Sequence, residues 1–125
     1  MEKDVNYVTE AIIGAAIDVH KALEPGLLES AYESCLAYEL IERGIKFEKQ
    51  KPLPVVYKGV HLDCGYRLDF VVEKRVIVEL KAIEQLTSIH EAQLLSYMKL
   101  TNCKVGLLIN FHVEMLKDGI KRRIL

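Results

Sequence analysis

The chain has 125 residues, half of them hydrophobic and 28% charged, with a net charge of −1 at pH 7. That is enough for one domain with its own core and too little for two. It excludes several classes: no apolar run reaches the ~20 residues of a membrane span, and Cys35, Cys64 and Cys103 are too few and too scattered for a disulfide framework, a zinc knuckle or an Fe–S cluster. Proteins that grip nucleic acid by many phosphates are usually basic, so the near-neutral balance argues against a strong, non-specific binder.

The expected elements run as follows. Val5, Val8, Ile12, Ala15, Ala16, Val19 and Leu23 follow the 3-4-3 spacing of one buried face, which predicts a helix over Val5–Leu23 stopped by Pro25-Gly26. A second helix is expected over Leu28–Arg43, with Gly44 as its stop. Short strands follow at Lys46–Lys49 and Leu53–Tyr57, with a turn at Lys58-Gly59. Two longer strands, His61–Val72 and Val76–Ala82, read as a hairpin. Ser88-Ile89-His90-Glu91 reads as a capping box with Ser88 as N-cap, opening a third helix that runs to Thr101. Val105–Asn110 is an apolar strand of the kind buried on both faces. A last hairpin is expected from Val113–Leu116 and Ile120–Ile124 around Asp118-Gly119. This order predicts a compact α/β domain over residues 1–125, with helices packed on a mixed central sheet and one right-handed crossover.

The chemistry concentrates on the central hairpin. In Val76-Ile77-Val78-Glu79-Leu80-Lys81-Ala82, an acid and a base sit two apart on a buried-looking strand, so they share a face. Charges are rarely buried without a partner or a metal. Asp69 lies on the preceding strand, in Tyr66-Arg67-Leu68-Asp69-Phe70-Val71-Val72. Magnesium takes carboxylates, waters and phosphate oxygens, and phosphodiester hydrolysis needs such a cation. A nearby lysine can hold the attacking water or counter the phosphoryl charge. Asp69, Glu79 and Lys81 are the minimum set for that work, and the Leu80 carbonyl is a further candidate ligand.

Strand parity imposes a condition. A two-residue turn at Glu73-Lys74 pairs Asp69 with Val78 and separates it from Glu79. A three-residue turn, Glu73-Lys74-Arg75, pairs Asp69 with Glu79. A site therefore requires the odd turn or a bulge. Two carboxylates ~4 Å apart repel by about 4 kcal/mol at an effective dielectric of 20, so a cation, Lys81 or a proton must relieve them.

Asp69…Glu79-x-Lys81 resembles the signature of the PD-(D/E)XK nuclease superfamily, and Gly26-Leu27-Leu28-Glu29-Ser30-Ala31-Tyr32 matches the GxxExxY motif of a bacterial and archaeal family within it. The resemblance covers nearly the whole chain, including Gln93-Leu94-Leu95-Ser96-Tyr97 and Leu107-Leu108-Ile109-Asn110-Phe111. It departs from the pattern at Leu68, which stands where the proline of the PD pair would be. The resemblance implies a restriction-endonuclease-like α-β-β-β-α-β core and cleavage of nucleic acid, DNA before RNA, that depends on Mg²⁺ or Mn²⁺. It implies Asp69, Glu79 and Glu29 as metal-site residues, Lys81 as the catalytic lysine, and Gln93 and Tyr97 as a QxxxY element. Tyr32 and Arg67 complete the expected substrate contacts.

Plainer readings stand beside these. Glu29 in a first helical turn suits the helix dipole. Gln93 and Tyr97 share a stripe that also suits packing. Glu79 and Lys81 can be a simple ion pair. Two basic clusters, Arg43, Lys46, Lys49, Lys51 and Lys58, and Lys117, Lys121, Arg122 and Arg123, read as solvated faces. His20, His61 and His112 are expected to have no catalytic part, and His61 with Cys64 is too small a set for zinc. The competing functions are a metal-dependent nuclease working as a homodimer, a weak or inactive binding module of the same fold in a larger complex, and a structural protein with an ion pair. Met1-Glu2-Lys3-Asp4 lacks the pattern of a signal peptide, so a cytoplasmic location is expected.

Overall fold

The computed structural model describes residues 4–125; Met1–Lys3, part of the stretch read for a signal peptide, lie outside it. Helix α1 spans Val5–Leu23, and the Asp4 side chain caps it by accepting the Asn6 N–H at 3.1 Å. Val8, Ile12, Ala15 and Ala16 are fully buried along its inner face, as the spacing requires. It stops at Glu24, just before Pro25, with φ at 59°. Helix α2 spans Glu29–Glu42. It ends through Gly44 at φ 69°, where the Ile45 N–H returns to the Leu40 carbonyl at 2.9 Å.

Strand β1 (Phe47–Pro52) runs three residues past the first short strand expected there, Lys46–Lys49. A separate ribbon follows, β2 (Val55–Tyr57) with β3 (Val60–Leu62). Its turn, Lys58-Gly59, has both φ values positive, the geometry that matches strand twist in a two-residue hairpin. The single strand expected over His61–Val72 is in fact two. Asp63 accepts the Gly65 N–H at 2.9 Å, Gly65 takes φ 79°, and the chain turns before β4 (Arg67–Val72) begins.

Strand β5 (Val76–Lys81) follows, then α3 (Ser88–Thr101), β6 (Val105–Asn110) and β7 (Ile120–Ile124). The main sheet has the order β1-β4-β5-β6-β7. Among the described residues, only β5 and β6 run parallel, joined through α3, in register from Val76 with Val105 to Lys81 with Asn110. Val76 to Leu80 and all of β6 are buried, which explains why Glu79 and Asn110 alone interrupt their apolar runs. Two apolar layers result. Phe70, Val78, Leu80, Leu107 and Ile109 pack beneath α1 and α2, and Leu68, Val71, Ile77 and Leu108 pack against Leu94 and Met98 of α3. Each fully buried Leu, Ile or Phe in these layers contributes about 1.5–3 kcal/mol.

Two local expectations are corrected. The N-cap of α3 is Thr87, whose extended backbone (φ −119°, ψ 170°) places Ser88 inside the helix. His90, not Glu91, is then three residues on, and its Nδ1 accepts the Thr87 N–H at 3.0 Å. Glu91 instead pairs with Arg123 of β7. The final hairpin is formed by β6 and β7, from Ile109 with Ile120 to Val105 with Ile124. The buried edge of β6 needs backbone partners, and Ile120–Ile124 supplies them. Val113–Leu116 is therefore connection, and Leu116–Gly119 forms a 3₁₀ turn. Among the described residues, no helix is long and apolar enough to cross a membrane.

That 3₁₀ turn depends on Gly119. A Cβ there would lie 2.2 Å from the Asn110 carbonyl oxygen and 3.1 Å from Val113 Cγ2. Gly119→Ala is expected to lower stability by about 2 kcal/mol or more, read from urea unfolding. An unchanged midpoint would contradict the close approach.

Candidate active site

The turn between β4 and β5 is the odd one. Val72 pairs with Val76, Glu73 and Lys74 take φ 52° and 58°, and the Arg75 N–H closes on the Val72 carbonyl at 3.0 Å. The register Phe70 with Val78 then sets Asp69 opposite Glu79. At that point the backbone ladder stops and the two carboxylates take its place. Asp69 N–H donates to Glu79 Oε2 at 2.8 Å, and Leu80 N–H donates to Asp69 Oδ2 at 2.8 Å. The alternation of β4 also slips here. Leu68 packs beneath α3, while Phe70, two residues on, packs beneath α1 and α2. The strand is distorted at the residue that carries the first carboxylate.

Charge is expensive at this split. Glu79 is only 6% exposed, and burial, reinforced by the charge of Asp69, pushes its carboxyl up to about 8. Burial also raises Asp69, with Glu33 adding to the effect, while the Leu80 N–H, the Gln50 amide and Lys81 oppose it. Glu29, at the pocket rim, is raised by partial burial of its carboxyl, and Lys81 and the Ala82 N–H pull it back. Lys81 is thus the cation that all three carboxylates feel. A pocket of ≈ 230 Å³ opens beside them, lined by Glu29, Ser30, Glu33, Gln50, Asp69 and Leu80. A larger hollow, lined by Lys46, Phe47, Glu48, Val71, Glu73 and Lys74, lies by the β4–β5 turn, at the other end of those strands.

The other expected residues distribute as follows. Tyr97 is 7% exposed, its ring edge-on to Tyr66 at 6.0 Å, and its phenol is raised by burial and then by the charges of Glu79 and Asp69. It borders the site from α3. Gln93 is half-buried on the same helix. Arg67 is exposed, with its guanidinium on the Tyr66 carbonyl at 2.8 Å. Tyr32 does not face substrate. It is fully buried, stacks on Phe111 at 4.5 Å, and its hydroxyl donates to the Glu24 carbonyl and accepts the Leu27 N–H. It anchors the turn that leads into α2 and so places Glu29. Three pocket residues, Ser30, Glu33 and Gln50, were not among the expected site residues. Glu33 had a signal, being four residues past Glu29 on the same helical stripe. Gln50 had none.

Among the described residues, no three His, Cys, Asp or Glu side chains form a ready-made metal-holding cluster. Asp69 and Glu79 each turn one oxygen onto a backbone N–H instead. The donor chemistry still fits a hard divalent cation. Three carboxylates converge with their charged forms disfavoured, and among the described residues Asp69 Oδ1 has only the Gln50 amide, at 3.3 Å.

A model of the PD-(D/E)XK nuclease superfamily matches residues 6–123. No curated protein and no solved structure matches the chain. The chain belongs to the PD-(D/E)XK nuclease superfamily, and its five-stranded mixed sheet flanked by helices is consistent with a restriction-endonuclease-like fold. Nucleases of this superfamily generally use divalent metal ions.

The raised Glu79 fixes a pH dependence. In chelator, the folded chain holds a proton that the unfolded chain releases near 4.5. Between about 4.5 and 8 the folded state binds more protons, so stability falls as pH rises through that window. Glu79→Gln keeps an acceptor for the Asp69 N–H without the charge. It is expected to flatten most of this slope and to raise stability at pH 8, read from urea unfolding at pH 5 and pH 8. An equal slope in both proteins would show that Glu79 is ionised in the fold.

Proposed function

We propose that this protein is a divalent-metal-dependent nuclease that hydrolyses phosphodiester bonds, with DNA as its first substrate and RNA second. One observation carries the reading: a desolvated Asp69–Glu79 pair sits where β4 and β5 part, with Lys81 and Glu29 beside it, in a chain of a nuclease superfamily.

On this reading Asp69, Glu79, Glu29 and the Leu80 carbonyl would hold Mg²⁺ or Mn²⁺. When bound, the ion supplies Lewis acidity toward water and a phosphoryl oxygen. Hydrolysis forms a bond from water oxygen to phosphorus and breaks one P–O ester bond; the water gives up a proton and the leaving oxygen gains one. The Lys81 ammonium orients the attacking water and counters charge on the phosphoryl oxygens. Arg67, exposed beside Tyr66, and Gln93 and Tyr97 on α3 contact the substrate strand.

The buried pair also ties cation affinity to pH. A proton on Glu79 competes with the ion, so Mn²⁺ binds more tightly at pH 8.5 than at pH 6.5. The test is cleavage of single- and double-stranded DNA and RNA with Mg²⁺ or Mn²⁺. Lys81→Ala is expected to reduce the rate about 100-fold, in keeping with loss of one charge-stabilising donor, and EDTA to abolish it. Cleavage that survives both would assign the activity elsewhere. No cleavage and no calorimetric Mn²⁺ binding would remove the nuclease reading.

A further inference from the structure

Strand β1 faces β4 in a constant register, Lys49 with Phe70 and Lys51 with Leu68. That register brings Gln50 opposite Asp69, where neither backbone joins the ladder. Gln50 holds φ at 54° within the strand. A left-handed backbone is costly for a residue with a side chain, and such positions gather where a site must be held. The residue's side chain explains what is held. Gln50 Nε2 donates to Asp69 Oδ1 at 3.3 Å and also to Glu33 Oε1. The other Asp69 oxygen is fixed by the Leu80 N–H. Asp69 is thus clamped at both oxygens, from β5 on one side and from β1 on the other.

We propose that Gln50 is a positioning residue for the metal site: its amide, tied back to Glu33, sets the direction of Asp69 Oδ1 into the pocket. This rests on the metal-binding reading above and adds a residue to it. An amide suits the place because it donates to two carboxylates without adding charge. A lysine there would pair with Asp69 and compete with a cation. A glutamate would add a further negative charge beside Glu33.

The left-handed backbone supplies a clean test. Glycine takes φ 54° freely, and asparagine tolerates it, but glycine has no amide and asparagine is one methylene too short to reach both carboxylates. Wild type, Gln50→Gly and Gln50→Asn are titrated with Mn²⁺ by calorimetry, with urea unfolding in EDTA alongside. The expected result is a Kd raised about tenfold in both variants, the lower end for loss of a group that orients a ligand, with the Gln50→Gly midpoint unchanged or higher. If wild type binds Mn²⁺ and the variants bind it equally well, Gln50 serves only the backbone and the inference is overturned while the metal site stands. If wild type binds no Mn²⁺, the metal reading fails and the inference falls with it.

Discussion

Two reciprocal hydrogen bonds hold the centre of this molecule together. Where the β4–β5 ladder stops, the Asp69 N–H goes to Glu79 and the Leu80 N–H goes to Asp69. Buried N–H groups must find acceptors, and here the acceptors are carboxylates rather than carbonyls. The same bonds that satisfy the backbone therefore force two acids together in a place where water hardly reaches. That conflict is built in. Remove the carboxylates and two backbone donors are orphaned; keep them and their charge must be relieved by a proton, by Lys81 or by a cation.

The rest of the fold makes the conflict affordable. Parallel pairing with β6 buries Val76 to Leu80 from the far side, so β5 cannot shift away. Tyr32 stacks on Phe111 and ties together Glu24 and Leu27, which fixes where α2 begins and thus where Glu29 and Glu33 stand. Asn110 does the same for the exit of β5. Its side chain accepts the Ile83 N–H at 3.1 Å and donates to the Ile83 carbonyl at 2.9 Å, just past Lys81. Each of these is a local bond with one consequence: the groups around the split are held on rigid elements.

The sequence made part of this legible. Parity arithmetic asked for an odd turn at Glu73–Arg75 or a bulge if Asp69 and Glu79 were to meet, because side chains alternate along a strand, and the turn is odd. Helix α1 and strand β6 were readable because burial on one face, or on both, leaves a plain apolar pattern. What was hidden depended on backbone choices that composition does not encode. The break at Asp63–Tyr66 is an aspartate bonding to a glycine two residues on, inside a stretch that alternates like a strand. The start of α3 moved by one residue because Thr87 and Ser88 are equally good caps, and a histidine, not a glutamate, closed the box. Tyr32 looked like part of a surface motif because its spacing matches that of Glu29, yet its ring is fully buried against Phe111 while Glu29 stays exposed at the pocket. Gln50 was invisible because its importance lies in a register made with a strand nineteen residues away.

The near-neutral net charge argues against a strong, non-specific nucleic-acid binder and leaves room for one that binds at a single place. Charge acts locally. Glu29, Asp69 and Glu79 feel Lys81, and Glu33 adds its charge to theirs, so full ionisation would leave three negative charges uncompensated around the pocket. A phosphate chain meets repulsion there unless something positive sits between. On the proposed reading the cation and the substrate must then favour each other's binding. By linkage the coupling is equal in both directions: phosphate oxygens complete the ion's ligand set, and the ion cancels the field that would turn the phosphate away. A surface rich in lysine would bind nucleic acid everywhere. On the proposed reading, a pocket that is acidic until a cation arrives would bind it at one place, and only when the catalytic charge is already present.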